Sequence, residues 1–250
     1  MLSKMPGATK EEKLRSLRAA YAFMYTHPGK KLLFMGQDMG LENEWREGAA
    51  MNWDVANDPQ NKQFMDFVKA LNKIYQSEKA LHEQDYVPEG FEWINNISAN
   101  ECVVSFVRKA SSGDELVVVA NFTPVERDGY KIGVPHQGKY KEIFNSNDVA
   151  FGGDGVVNKR VITSKKDECD GRENSIKLTL PSMGVTILRY TEASATVKKD
   201  DALDETIKET TAKKSAKKTA TKTASTTKTA AKTATKTAAK TTTKKTTSKK

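Results

Sequence analysis

Hydrophobic residues recur every three or four positions in two stretches near the amino terminus, and this spacing predicts two amphipathic helices. The first covers residues 9–26, where Thr9 and Glu12 have the spacing of a capping box at the helix start. The second covers residues 61–77 and follows Asp58-Pro59, a capping residue before a first-turn proline. The apolar positions of the second helix are Phe64, Phe67, Val68, Leu71, Ile74 and Tyr75.

Between the two helices lies a short apolar run, residues 31–35, after the turn at Pro28-Gly29. A continuous apolar run between helices predicts a buried strand of a parallel α/β sheet. In such a sheet the loop after the strand faces the active site. That loop is Gly36-Gln37-Asp38-Met39-Gly40, so we expect its polar side chains to belong to a site.

From about residue 88 the pattern changes to short runs rich in β-branched and aromatic residues, separated by turn sequences. About seven such strands predict an antiparallel β-sandwich of roughly 100 residues. The predicted strands are Phe91–Ile94, Glu101–Arg108, Glu115–Asn121, Tyr130–Gly133, Lys139–Phe144, Ser175–Leu180 and Gly184–Tyr190.

The net charge of +9 is concentrated at the carboxyl terminus. Residues 211–250 hold thirteen lysines and no acidic residue, which leaves 28 basic against 32 acidic residues in positions 1–210. The body of the chain is therefore mildly acidic and has no electrostatic footprint for nucleic acid. The Lys, Thr and Ala composition of the last residues offers no apolar surface to offset the entropy of ordering, so this tail is predicted to be disordered.

The number and spacing of the cysteines and histidines bear on two questions, the cellular compartment of the protein and its capacity to bind metal. Two cysteines, Cys102 and Cys169, without a signal peptide or a long apolar segment, predict a reduced, cytoplasmic protein. The three histidines lie far apart and lack metal-ligand spacing, so the sequence predicts no metal site and no cofactor.

Carboxylates and aromatic residues are close together after the predicted strand. Asp38, Glu42 and Glu44 lie where a barrel would present the paired carboxyl groups of glycosyl transfer. Trp45 and Trp53 are either surfaces for stacking sugars or residues that pack the loop down. On spacing alone, a solvated acidic loop is favoured over a catalytic pair.

Six motifs, in this order and without large gaps over residues 2–190, resemble the carboxyl-terminal part of bacterial glycogen branching enzymes of the α-amylase superfamily. The motifs are Met5-Pro6-Gly7, Leu14–Trp45 (which contains His27–Gly40), Ala80-Leu81-His82-Glu83, Gly90-Phe91-Glu92-Trp93, Asn121–Val125 and Leu178–Pro181.

The resemblance implies a fold and a division into domains. Residues 1–87 would be the end of a (β/α)8 catalytic barrel, with 31–35 as its eighth strand between the two helices. Residues 88–193 would be the β-sandwich that follows the barrel, and 194–250 a disordered basic tail. The family cleaves an α-1,4-glucan, holds the cut chain on an aspartate and transfers it to a 6-hydroxyl, forming an α-1,6 branch.

The resemblance places the family's catalytic carboxylates upstream of Met5-Pro6-Gly7, so no catalytic residue is expected in this chain. Gln37, Asp38 and Trp45 are the expected contacts to the glucan. The chain alone is expected to be inactive, either as one piece of a split enzyme or, preferably, as the product of an interrupted gene or short gene prediction. Tyr21, Phe34, Met35 and Phe67 would then face solvent unless a chain with the missing strands covers them.

A second class of function remains open from the residues. The repeated Lys-Thr-Ala unit of the tail, at Lys222, Lys228, Lys232 and Lys236, resembles basic tails that contact phosphates. The alternative hypothesis is a noncatalytic protein that binds polyanions or nucleic acid through this tail.

Overall fold

The computed structural model describes residues 1–192. The predicted disorder of residues 194–250 lies outside the described residues.

The two predicted helices are both present, and their predicted caps are confirmed. Helix α1 spans Lys10–Thr26, and the Thr9 hydroxyl accepts a hydrogen bond from the Glu12 amide while the Glu12 carboxylate accepts one from the Thr9 amide. Hydrogen bonds from the backbone amides of Thr9 and Ala8 to the Glu12 carboxylate lower the pKa of Glu12. Helix α2 spans Pro59–Ser77, and the Asp58 carboxylate accepts hydrogen bonds from the first amides of α2. Both helices therefore begin where the capping residues direct.

Within the described residues, nine antiparallel strands form two sheets. The order in the six-stranded sheet is β1-β2-β3-β9-β5-β6, and in the three-stranded sheet it is β4-β8-β7. All seven predicted strands are present, whereas β6 and β7 were missed because neither shows an apolar alternation. The strands are β1 (Phe91–Asn95), β2 (Val103–Lys109), β3 (Glu115–Asn121), β4 (Arg127–Val134), β5 (Gly138–Asn145), β6 (Ile162–Thr163), β7 (Lys165–Cys169), β8 (Arg172–Leu180) and β9 (Gly184–Glu192).

Short 3-10 helices occupy the connections between these elements. They are Leu2–Lys4, Gln37–Met39, Trp53–Asn57, Lys79–Leu81, Pro88–Gly90 and Val149–Phe151.

The six-stranded sheet is buried on both faces, and strand β3 shows how. Successive side chains of a strand point to opposite faces. Leu116, Val118 and Ala120 pack into the core that contains the helices, whereas Val117 and Val119 pack into the core shared with the three-stranded sheet. The apolar faces of α1 and α2 therefore have a partner within the chain.

This packing corrects the expectation that four apolar side chains would face solvent. Tyr21 and Phe67 are buried, with 3% and 0% of their surfaces exposed. The Phe67 ring lies 5.9 Å from that of Phe144 on β5 and 5.5 Å from that of Phe151. The other two, Phe34 and Met35, are exposed as expected.

Residues 31–35 do not form a strand, so the predicted barrel strand is not confirmed in residues 1–192. Leu32 is 76% exposed and Phe34 is 52% exposed, and Met35 has a φ of +41°. A strand requires hydrogen-bonding neighbours, and residues 1–192 supply no neighbouring strand to this segment. The Phe34 amide instead donates to the side-chain oxygen of Gln37.

A buried arginine attaches the helical segment to the sheet. The guanidinium of Arg108 on β2 donates to the Asp85 carboxylate at 2.6 Å, and both side chains are fully buried. Its other nitrogens donate to the carbonyls of Thr26, at the end of α1, and Gly90, just before β1. One side chain thus provides hydrogen-bond donors to the carbonyl group at the end of α1 and to a carbonyl group in the segment before β1, although both are distant from Arg108 in sequence.

Arg18 makes a second attachment from the middle of α1. Its guanidinium donates to the carbonyls of Ser146 and Gly152, at 3.1 and 3.2 Å, in the loop after β5. Burial lowers the pKa of Arg18 to about 10. The two arginines hold the helical segment against β2 and against the loop after β5.

We expect Asp85→Ala to destabilise the chain by about 3–5 kcal/mol, because it leaves the charge of Arg108 buried and unpaired. The measurement is the free energy of unfolding in urea. Asp167→Ala, which removes the partner of Lys131 in an exposed pair, is the matched control and should change stability little. Equal losses from the two substitutions would contradict the role assigned to Arg108.

Candidate functional site

A groove of about 900 Å³ lies between residues 31–38 and the exposed side of α2. Its apolar lining is Leu33, Phe34, Met35, Met65 and Val68. Its polar and aromatic lining is Tyr25, Lys31, Asp38, Asp66, Lys69, Asn72, Tyr75 and Gln76. The groove is thus lined by both apolar and polar side chains.

A tight turn presents Asp38 at the edge of this groove. Gly36 and Gly40 flank the Gln37–Met39 helix with φ values of +78° and +66°, in the left-handed region that favours glycine. A Cβ at Gly36 would also lie 2.3 Å from a methyl carbon of Leu41. Both glycines belong to the predicted active-site loop, and in the structure they shape its turn.

Side chains of α1 and α2 hold this turn in place by hydrogen bonds. The Tyr21 hydroxyl donates to the carbonyl of Gln37 at 3.0 Å. The Asn61 side-chain amide donates to the carbonyls of Met39 and Gly40 at 2.7 and 3.0 Å. Neither contact had a signal in the sequence, because each joins residues that are more than ten positions apart.

The three expected glucan contacts occupy different positions. Asp38 is exposed and lines the groove, whereas Gln37 is half-buried and lies outside its lining. Trp45 is 49% exposed and lies outside the groove lining. Its ring packs edge-on against that of Phe34, a lining residue, at 5.5 Å between ring centres. The structure brings Asp38 and the Phe34–Trp45 pair to the same region of the surface.

The other acidic and aromatic candidates do not join this site. Glu42 and Glu44 are exposed, and Glu44 pairs with Lys4 at 2.5 Å, a contact that lowers the pKa of Glu44. Trp53 is 67% exposed. A solvated acidic loop, the alternative favoured on spacing, therefore describes Glu42 and Glu44.

Burial dominates the electrostatics of the groove. It raises the pKa of Tyr21 and Tyr25, and the nearby charge of Asp38 raises both further. Burial lowers the pKa of Lys31 to about 8. The Lys31 amine donates to the carbonyl of His27 and lies 5.3 Å from the centre of the Tyr75 ring. Of these groups, Tyr25, Lys31 and Asp38 line the groove, whereas Tyr21 lies outside its lining.

Residues 1–192 hold neither a candidate metal site nor a candidate membrane span. They contain no cluster of three or more His, Cys, Asp or Glu side chains that could hold a metal ion. None of the helices within this part of the chain has the length and apolar character needed to cross a membrane.

The β-strands and their core identify the class of domain. Residues 93–191 match the family described as the α-amylase C-terminal all-β domain. Solved structures show the same fold. The catalytic module of the glycogen-degrading pneumococcal virulence factor SpuA aligns with a TM-score of 0.52 and 18% identity, over 72% of this chain and 32% of that chain. Ttha1563 from Thermus thermophilus aligns with a TM-score of 0.50 and 16% identity, over 73% and 32%.

Sequence relatives identify a narrower family. The 1,4-alpha-glucan branching enzyme GlgB of Rubrobacter xylanophilus is 43% identical over 190 residues, which are 76% of this chain and 26% of that protein. The enzymes of the same name from Oceanobacillus iheyensis and Aquifex aeolicus are 40% and 41% identical, over 76% of this chain and 30% of each protein. Over 76% of its length, the chain is therefore similar to the C-terminal part of 1,4-α-glucan branching enzymes.

This chain spans only about 26–30% of the length of these relatives. The family is the one that the sequence motifs resembled, so that prediction is confirmed. The comparisons give no support to the alternative of a polyanion-binding protein, and its lysine-rich tail lies outside the described residues.

We expect Lys31→Met to remove a pH dependence of stability. The pKa of Lys31 is lower in the folded chain, about 8, than its usual 10.5, so the unfolded chain holds more protons between these values. The free energy of unfolding should therefore rise with pH in that window. The measurement is urea unfolding between pH 8 and 10, where parallel curves for wild type and variant would contradict the prediction.

Proposed function

We propose that this chain acts as the C-terminal part of a 1,4-α-glucan branching enzyme. The observation that carries the proposal is 40–43% identity over about 190 residues to three proteins of that name. The reaction would transfer a cleaved α-1,4-glucan segment to a 6-hydroxyl in glycogen biosynthesis. The proposal includes a cytoplasmic location, which the two free cysteines support.

In this proposal residues 1–87 complete a catalytic barrel, residues 88–193 form the β domain, and 194–250 form a disordered basic tail. Arg108 and Arg18 join the first two of these parts, because they fix the helical segment to the β domain through buried hydrogen bonds. The barrel wall built by residues 31–45 would then keep a constant position relative to the β domain.

Gln37, Asp38 and Trp45 are proposed to line one wall of the glucan cleft. The exposed Asp38 carboxylate can accept hydrogen bonds from sugar hydroxyls. The Trp45 ring, half-exposed and braced by Phe34, offers a flat apolar surface to the carbon-bound hydrogens of a sugar ring. Gln37 is the weakest of the three, because its side-chain oxygen already accepts from the Phe34 amide.

The chemical step would require groups that this chain does not contribute. Retaining glycosyl transfer uses one carboxylate as nucleophile and a second carboxyl group as acid and base. The resemblance places both, together with a second aspartate, in the part of the relatives that this chain does not cover. The chain is therefore proposed to be inactive until a polypeptide with the remaining strands joins it.

The surface around residues 31–45 supports such a partner. Leu32, Phe34, Met35 and Trp45 are all at least 43% exposed, and apolar side chains also line the adjacent groove. Clustered exposed apolar side chains of this size mark interaction surfaces. No strand among residues 1–192 pairs with residues 31–33, so their backbone could pair with a strand of the partner.

We expect the purified chain to leave the iodine staining of amylose unchanged, because the proposal assigns the nucleophile and the acid to the part of the enzyme that this chain does not cover. The Rubrobacter xylanophilus enzyme is the positive control under identical conditions. A fall in the blue absorbance with the 250-residue chain alone would contradict the proposed inactivity.

A complementary polypeptide should bind the chain and restore branching. The probe is the Rubrobacter xylanophilus enzyme without the C-terminal 26% that this chain matches. We expect coelution in gel filtration, lost in Leu32→Asp because a charge would enter the apolar contact. Ile97→Asp is the matched control, since Ile97 is 86% exposed in the β1–β2 connection and Leu32 is 76% exposed. Absence of coelution with the wild-type chain would contradict the split arrangement.

A further inference from the structure

The turn that carries Asp38 is held by two side chains that lie outside the groove lining. We propose that Asn61, with the help of Tyr21, is a positioning residue that fixes the Gln37–Gly40 turn so that Asp38 faces the groove. The inference rests on the proposed function, in which Asp38 contacts glucan. It assigns roles to two buried residues that would not touch the glucan.

Asn61 makes the main contact. Its side chain is almost completely buried, with 1% of its surface exposed, and its amide nitrogen donates to two successive carbonyls of the turn. Two hydrogen bonds from one rigid planar group fix both the position and the direction of the backbone. The carbonyls of Met39 and Gly40 therefore cannot rotate without breaking one of them.

Asn61 is itself held in place by the start of α2. Its backbone amide donates to the Asp58 carboxylate at 3.2 Å, and Asp58 pairs with Lys10 at the start of α1 at 3.0 Å. The hydrogen bond from Lys10 lowers the pKa of Asp58, so the cap stays charged over a wider pH range. The turn is thus linked to the starts of both helices.

Tyr21 fixes the opposite end of the turn. Its ring packs against that of Phe64 at 5.6 Å, and its hydroxyl donates to the carbonyl of Gln37. Beneath the turn, Met39 is 2% exposed. Tyr21 and Asn61 together donate to every carbonyl from Gln37 to Gly40 except that of Asp38, so the exposed Asp38 side chain extends from a fixed base.

The test compares two asparagines that make the same kind of contact. Asn121 is fully buried on β3, and its amide also donates to two carbonyls, those of Val125 and Pro181. Asn61→Ala and Asn121→Ala should each lower the melting temperature of the whole chain. Tyr21→Phe is paired in the same way with Tyr140→Phe, since Tyr140 is buried and its hydroxyl donates to the His136 carbonyl.

Two readouts separate positioning from a general loss of stability. Hydrogen exchange at the Met39 and Gly40 amides, both hydrogen-bonded within the turn, should become about ten-fold faster in Asn61→Ala, the effect of losing about one net hydrogen bond. Retardation in an amylose-containing gel should show several-fold weaker binding for Asn61→Ala. Asn121→Ala should change neither.

The outcomes distinguish this inference from the proposed function. Unchanged exchange in Asn61→Ala, or equal acceleration in both alanine variants, would overturn the positioning role. Faster exchange with amylose affinity equal to wild type would also overturn it, because the turn would then not orient a binding group. A wild-type chain that amylose does not retard, with exchange still accelerated only in Asn61→Ala, would refute the glucan contact and leave the hold on the turn supported.

Discussion

The guanidinium group of Arg108 joins three parts of the chain that are far apart in sequence. It pairs with Asp85 in a fully buried site and donates to the carbonyls of Thr26 and Gly90. A charge removed from water requires a full set of partners, and these partners exist together only when α1, the connecting segment and β2 are all in place. The six-stranded sheet can therefore bury both faces only with the helical segment attached to it.

This attachment explains why a helical segment expected to belong to another domain is packed so well. The helices share a core with one face of the sheet, so Tyr21 and Phe67 are covered without any other polypeptide. Within residues 31–45, by contrast, Leu32, Phe34, Met35 and Trp45 remain exposed. This is also the region that contains Asp38, the proposed glucan contact.

The sequence predicted only some of the residues that form or support the groove. The resemblance implied Gln37, Asp38 and Trp45 as glucan contacts, but of the three only Asp38 lines the groove. Asn61 and Lys31 were missed, since a polar residue in the first turn of a helix and a lysine after a turn are ordinary in sequence. Their roles arise from contacts to Met39, Gly40, His27 and Tyr75, which depend on how α1, α2 and the turn pack.

The sequence by itself determined the elements that local physics controls. Capping residues set the starts of both helices, alternation and turn residues set seven of the nine described strands, and motif order indicated the family. Tertiary structure alone decided the state of residues 31–35, because a strand exists only with neighbours to accept its hydrogen bonds. Tertiary structure also decided that both faces of the six-stranded sheet are buried and that the Arg108 side chain is fully buried among its hydrogen-bond partners. Each of these depends on groups that meet only after the chain has folded, so no local pattern encodes them.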